Sequence, residues 1–246
     1  MQVSRAPEKF GLVIPTLNEA GNIPTLLDRV HAALAPVGID YELLVVDDDS
    51  QDGTAGVVQR YAQGDPRVRL LVRTGQRGLA GAVIHGWNNT DATLLGVIDA
   101  DLQHPPEILP ALIAAIRKGN DIVVASRYAA NGTIENWNAF RRFVSRCSTW
   151  ATLPLQKNRG AQIKDPMSGF FIVRRECVEG LDLQPYGFKI LLEILVKGRI
   201  KNATEVPFQF ATRLSGRSKA DLKVALHYFS LLGKLSREAI FGPGQQ

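Results

Sequence analysis

Short, almost wholly apolar runs punctuate the first half of the chain, and each is followed by a segment whose apolar residues recur every three or four positions. The runs predict strands over Phe10–Thr16, Tyr41–Val46, Val68–Val72, Thr93–Ile98 and Asp121–Arg127. The intervening segments predict helices from Ile23 to near Pro36, from about Thr54 to Tyr61, from the glycine-punctuated Gly75–Gly81 to about Asn88 and from Pro106 to Lys118. Strands that are apolar on both faces, alternating with amphipathic helices, imply an α/β fold with a mostly parallel sheet covered on both sides. In such sheets ligands bind outside the carboxyl ends of the strands. Four polar clusters fall at those ends here: Asn18/Glu19, Asp47–Asp49, Asp99/Asp101 and Arg127.

After Arg127 the alternation stops. Tyr128 to Asn138 reads as a loop, with Asn131-Gly132 as a turn, and Asn138 to about Trp150 as a basic helix carrying Arg141, Arg142 and Arg146. Asp165 to Gly169 is a turn feeding a strand through Val173. Gly187 to Lys197 is an apolar helix interrupted by Glu193, which needs a partner or a place on the rim. Glu205 to Phe210 alternates as a strand, and Pro207 places it at a sheet edge. A basic loop, Arg213 to Lys219, leads to a final helix from Ala220 to about Ile240. No internal repeat or low-complexity tract is present.

With 246 residues, 45% hydrophobic and 22% charged, the chain can bury a large core and has an ordinary globular composition. The net charge of +5 suits a phosphorylated substrate or an anionic membrane surface. No run of Lys/Arg or basic stripe interleaved with aromatics points to nucleic acid. Cys147 and Cys177 have no metal-ligand spacing and read as reduced thiols of a cytosolic protein. Met1 to Lys9 carries no signal-peptide core, and no apolar stretch approaches the roughly 18–20 residues of a membrane span.

Alone, Asp99-Ala100-Asp101 would be read as a solvated acidic turn. On a rim with three other polar clusters, two carboxylates at i and i+2 form a hard-oxygen pair suited to Mg²⁺ or Mn²⁺ bound together with substrate phosphates. Arg127, Arg141, Arg213 and Lys219 follow that rim in sequence and are suited to phosphate. Competing motifs are missing. Gly75/Gly78/Gly81 is not the dinucleotide fingerprint and is read as close packing at a helix start. Gly216 to Lys219 is not a P-loop, and no Gly-x-Ser-x-Gly elbow occurs. His31, His85, His104 and His227 have no metal spacing and are read as structural.

Several motifs carry a family likeness. Val-Ile-Pro-Thr-x-Asn-Glu at 13–19, Val-Val-Asp-Asp-Asp-Ser-x-Asp-Gly-Thr at 45–54 and Asp-Ala-Asp-Leu-Gln-His-Pro-Pro-Glu at 99–107 resemble the inverting glycosyltransferases of family 2. Ser-Arg-Tyr at 126–128, Asp-Pro-Met-Ser-Gly-Phe-Phe at 165–171, Gly-Phe-Lys-Ile-Leu-Leu-Glu at 187–193 and Arg-x-x-Gly-x-Ser-Lys at 213–219 narrow the resemblance to the dolichol (polyprenol) phosphate mannose synthases. The Gln-x-x-Arg-Trp motif of processive synthases is absent.

The resemblance implies a GT-A catalytic domain over residues 1–219; the composition of residues 220–246 reads as an amphipathic helix and tail, either lying in a membrane interface or packed on the domain's own core. The resemblance implies GDP-mannose as donor and a dolichyl or polyprenyl phosphate as acceptor. Pro15, Leu17, Glu19, Val46 and Asp48 would contact the guanosine part; Leu17 stands where the family has tyrosine or another residue. Asp99, Asp101 and Gln103 would hold the cation, with Ala100 near the donor. Arg127, Arg141, Arg213 and Lys219 would bind phosphates, and Asp99, Asp101, Arg127 and Arg141 would carry catalysis. The implied location is peripheral, on the cytoplasmic side of a membrane, as a complete protein or as a portion of a longer one. A UDP-glucose-dependent relative, a nucleotide-sugar-binding module without turnover and a dinucleotide-dependent oxidoreductase are the alternatives.

Overall fold

A computed structural model describes residues 8–128, 163–184 and 190–209. Its strands are β1 (Lys9–Thr16), β2 (Asp40–Asp47), β3 (Val68–Val72), β4 (Leu94–Val97), β5 (Ile122–Ser126), β6 (Phe171–Arg174) and β7 (Ala203–Pro207). Its helices are α1 (Ile23–Leu34), α2 (Thr54–Gly64), α3 (Leu79–Asn88), α4 (Leu109–Arg117), the short α5 (Arg175–Val178) and α6 (Ile190–Lys197). The strands form one sheet in the order β3-β2-β1-β4-β6-β5-β7. β6 runs antiparallel to both β4 and β5, and every other pairing is parallel.

The expected α/β architecture is what the chain adopts. Successive side chains of a strand point to opposite faces, so each buried strand feeds two cores. Leu12, Ile14, Leu43 and Val45 pack on one face with α1 and α4, through residues such as Leu26, Val30, Leu112 and Ile116. Val13, Leu44, Val46 and Val97 pack on the other with α3 and α6, through Val83, Trp87, Leu191 and Ile194. The approach of α3 is close enough to require a glycine: a Cβ on Gly86 would lie 2.5 Å from Val13 Cγ2.

Several sequence expectations are refined. The segment from Pro106 opens as a 3₁₀ turn, Pro106–Ile108, before α4 begins. Pro207 closes β7 at the edge of the sheet, where a residue without an N–H is tolerated. Glu193 is buried but satisfied: Lys197 Nζ lies 2.7 Å from Oε1, and the Gln184 N–H donates to the same carboxylate. The expected basic helix at 138–150, the basic loop at 213–219, the helix from Ala220 and the 219/220 boundary lie outside the described residues.

From β1 the chain moves outward to β2 and β3, then returns to β4 on the other side of β1. This reversal makes a crevice between the carboxyl ends of β1 and β4. The β1–β4 ladder ends at Val13↔Val97. Pro15, which has no N–H to donate, falls beyond that last pair and faces only β2 in the register.

The close approach of α3 is open to test. Gly86→Ala should destabilise the fold by about 1–3 kcal/mol through overpacking on Val13. A urea unfolding curve with an unchanged midpoint would exclude the close contact.

Candidate active site

Two loops close the β1/β2 side of the crevice by binding each other. Thr16 Oγ1 donates to Asp47 Oδ1 at 2.9 Å, and the Asn18 N–H donates to Ser50 Oγ at 2.8 Å. The Gln51 N–H returns a bond to Asn18 Oδ1, and the Glu19 and Ala20 amides donate to Thr54 Oγ1 and Asp52 Oδ2. Asn18 and Asp49 both take left-handed backbone angles, φ 58° and 59°, a conformation Asn and Asp tolerate better than most residues.

The acids of this loop are therefore engaged within the fold. Asp47 accepts from Thr16 and from the Ser50 amide. Asp48 accepts from Arg73 Nη1 at 2.9 Å and from the Gly78 N–H at 2.7 Å, with both charged side chains only 6% exposed. Burial pushes the Asp48 carboxyl above its ordinary pKa, and the Gly78 amide and Arg73 only partly counter it. Gly78 adopts φ 142°, a backbone angle that favours glycine. The glycine-punctuated segment thus starts α3 and is fastened to the end of β2. Pro15, Leu17 and Glu19 keep partial exposure beside the crevice, whereas Val46 is fully buried.

Across the crevice, β4 runs into Asp99-Ala100-Asp101. The Asp99 side chain is 30% exposed, and Ala100 is buried beneath it. Asp101 Oδ1 accepts the Gln103 N–H at 3.1 Å. Between them Leu102 is held at φ 60° with its side chain buried. A left-handed conformation is uncommon for a bulky residue and costs about 1–3 kcal/mol. His104 then packs edge-on to Phe170 and against Phe208, with Nδ1 3.6 Å from Asp99 Oδ2. Burial lowers its pKa to about 4, although Asp101 works in the opposite direction, and the imidazole is neutral at physiological pH.

The third side of the site comes from β5, β6 and β7. Arg127 donates through its backbone N, Nε and Nη2 to the fully buried Asp165, at 3.1, 2.8 and 2.7 Å. Burial opposes the guanidinium charge, but the Asp165 hydrogen bonds outweigh it and raise the Arg127 pKa. Glu205 Oε1 accepts the Lys164 and Asp165 amides, at 3.0 and 2.9 Å. Burial raises the Glu205 pKa; hydrogen bonds from Ser126 and those amides hold it back. Gly169 lies directly against Asp99: a Cβ there would overlap both carboxylate oxygens.

Sequence alone does not assign Arg73, Asp165, Gly169 or Glu205 to the rim, and it reads His104 as structural. Asp165 and Gly169 stand in one of the family motifs, and Glu205 in an alternating edge strand, so the residues are visible there without their partners. Arg141, Arg213 and Lys219 lie outside the described residues.

Among the described residues, no group of three or more His, Cys, Asp or Glu side chains is placed to hold a metal ion. By donor chemistry, the Asp99 and Asp101 carboxylates and the Gln103 amide are oxygen groups of the kind a hard cation takes together with water and phosphate. Asp99 supplies a partly exposed carboxylate on a base confined by Gly169 and His104.

Residues 12–181 match the family described as Glycosyl transferase family 2. The chain is 44% identical over 230 residues to a dolichol-phosphate mannosyltransferase of Pyrococcus furiosus, covering 93% of this chain and 64% of that protein. It is 35% identical over 225 residues to a polyprenol monophosphomannose synthase of Mycolicibacterium smegmatis, covering 87% and 82%. A solved glucosyl-3-phosphoglycerate synthase of Mycobacterium tuberculosis, in complex with Mn²⁺, UDP and phosphoglyceric acid, shares the GT-A fold. Its TM-score is 0.67 at 19% identity, covering 97% of this chain and 80% of that one.

The clamp between Asp48 and Arg73 has a measurable consequence. Arg73→Ala would leave a buried carboxylate without its cation and should cost about 3 kcal/mol or more. Urea unfolding at neutral pH measures it, and a wild-type midpoint would show that the clamp contributes nothing.

Proposed function

The chain belongs to glycosyl transferase family 2, and we propose that it transfers mannose from GDP-mannose to the phosphate of a dolichyl or other polyprenyl phosphate, with inversion and with Mg²⁺ or Mn²⁺. The observation that carries this reading is the acid pair at the end of β4, facing the β1/β2 loops across the crevice. The names of the relatives, at 44% and 35% identity, support the sugar and lipid. The Mn²⁺ and nucleotide in the M. tuberculosis structure support the class of donor and cation.

In this reading the nucleoside lies along Pro15, Leu17 and Glu19, over Val46 and the clamped Asp48. Asp99, Asp101 and Gln103 would hold the cation, with Ala100 near the donor. When bound, the cation supplies positive charge that stabilises the departing GDP. An oxygen of the lipid phosphate attacks the anomeric carbon opposite the leaving group; the new carbon–oxygen bond forms as the bond to GDP breaks. A phosphate monoester has its second pKa at about 6, so the acceptor is largely dianionic near neutral pH. It needs no general base, only positioning; Arg127, Arg141, Arg213 and Lys219 bind the donor and acceptor phosphates, with Arg127 on the donor side and Arg141 on the acceptor side.

Action on a polyprenyl phosphate places the work at a membrane surface, with the cytoplasmic side as the proposed location. No helix among the described residues is long and apolar enough to cross a membrane. The amphipathic segment 220–246 carries Leu222, Leu226, Phe229, Leu232 and Leu235 with Lys223, Lys234 and Arg237, and Lys219 just precedes it. That composition suits an interface.

Product analysis with GDP-mannose, Mg²⁺ or Mn²⁺ and a short polyprenyl phosphate tests the reaction directly. Formation of mannosyl polyprenyl phosphate and GDP is expected, with loss of turnover on chelation; turnover with UDP-glucose alone would overturn the donor assignment. Asp101→Ala should lower turnover by about 100-fold or more, equivalent to removing ~3 kcal/mol of charge stabilisation. An active variant indifferent to metal would sink the mechanism. Arg141→Ala should raise the KM for the lipid phosphate more than that for the donor; an unchanged acceptor dependence would remove Arg141 from acceptor binding.

A further inference from the structure

The turn Asp165 to Gly169 has no part in the mechanism above, yet it touches both charged components of the rim. At one end the buried Asp165 binds Arg127 through Nε, Nη2 and the backbone N–H. At the other end Gly169 rests on the Asp99 carboxylate. Between them the Ser168 N–H donates to the Asp165 carbonyl at 3.2 Å and the Phe170 N–H to Ser168 Oγ at 3.2 Å. The Ala125 N–H donates to the Phe170 carbonyl at 2.9 Å, fastening the turn to β5. Glu205, from β7, holds the start of the turn by its two amides. Asp99 and Arg127 also sense each other electrostatically.

A buried ion pair is a poor source of net stability, because the cost of removing both charges from water offsets their attraction. What such a pair can supply is a fixed position. We propose that Asp165, seated on Glu205, is a positioning residue: it fixes the Arg127 charge beside Asp99 and sets the turn whose Gly169 confines the Asp99 carboxylate. The role rests on the donor site proposed above. It is distinct from phosphate or metal binding, since Asp165 is completely buried and acts through its neighbours. The same reasoning makes Glu205 a second support, one step further from the donor.

The test uses binding, so that it does not depend on the acceptor. GDP affinity in the presence of Mn²⁺ is measured calorimetrically for the full chain and for Asp165→Asn, Arg127→Ala and the double variant, with melting temperatures alongside. Asp165→Asn keeps the shape of the side chain and should weaken binding by about 10-fold or more, in line with the loss of a group that orients a ligand. Because Asp165 acts largely through Arg127, the double variant should bind no more weakly than the weaker single variant. Wild-type affinity in Asp165→Asn, or fully additive losses in the double variant, would overturn the proposal. Should Asp165→Asn fail to fold, the pair Glu205→Gln and Glu205→Ala decides. Glutamine keeps an oxygen for the two amides and should retain affinity, alanine should lose it, and equal affinities would overturn the role. A wild-type chain that binds no GDP with Mn²⁺ overturns both this role and the proposed function; GDP binding without mannose transfer overturns only the latter.

Discussion

A strand that runs antiparallel between two parallel neighbours brings its beginning, rather than its end, to the rim where they finish. β6 does this between β4 and β5. The chain just before β6 therefore arrives beside Asp99, which follows β4, and Arg127, which follows β5. Asp165 can reach Arg127 and Gly169 can reach Asp99 only because of that reversal. A parallel β6 would carry the same turn to the opposite end of the strands and leave Arg127 without its buried carboxylate.

The rest of the rim is held by local devices that oppose ordinary backbone preference. Asn18, Asp49 and Leu102 lie in the loops after β1, β2 and β4, and all three have positive φ. Each such residue costs about 1–3 kcal/mol, and the structure supplies compensation nearby. Asn18 exchanges bonds with Ser50 and Gln51. Leu102 buries its side chain, and the Gln103 amide that follows it is taken up by Asp101. The strain is confined to the loops that line the crevice, while the strands behind them are buried on both faces.

The sheet itself was largely legible in sequence, because a buried parallel strand is an apolar run and an amphipathic helix has a recurring period. The direction of β6 was not: Phe171 to Val173 is a short apolar run, and hydrophobicity carries no polarity along the chain. The acids were legible as residue types but not in their employment. Asp47, Asp48 and Asp99 all follow apolar strands, yet the first two are bound within the fold and Asp99 keeps exposed surface. Their difference is set by Thr16, Arg73 and Gly78, which tertiary structure brings in from other segments. Asp165 and Arg127 lie 38 residues apart, and Glu205 lies 40 from Asp165. A single sequence gives no sign of such pairings.

The chain leaves β5 at Ser126, enters β6 at Phe171 and leaves β7 at Pro207. β5 and β7 are parallel, with Ser126 opposite Pro207, and β6 is reversed, so all three points belong to the same side of the sheet. The chain thus leaves β5 and β7, and enters β6, on the rim of the crevice and not at the foundation beneath it. In mechanical terms this separates two jobs. A change of sequence where the chain crosses the rim therefore bears on the crevice first, while the buried strands beneath keep their register.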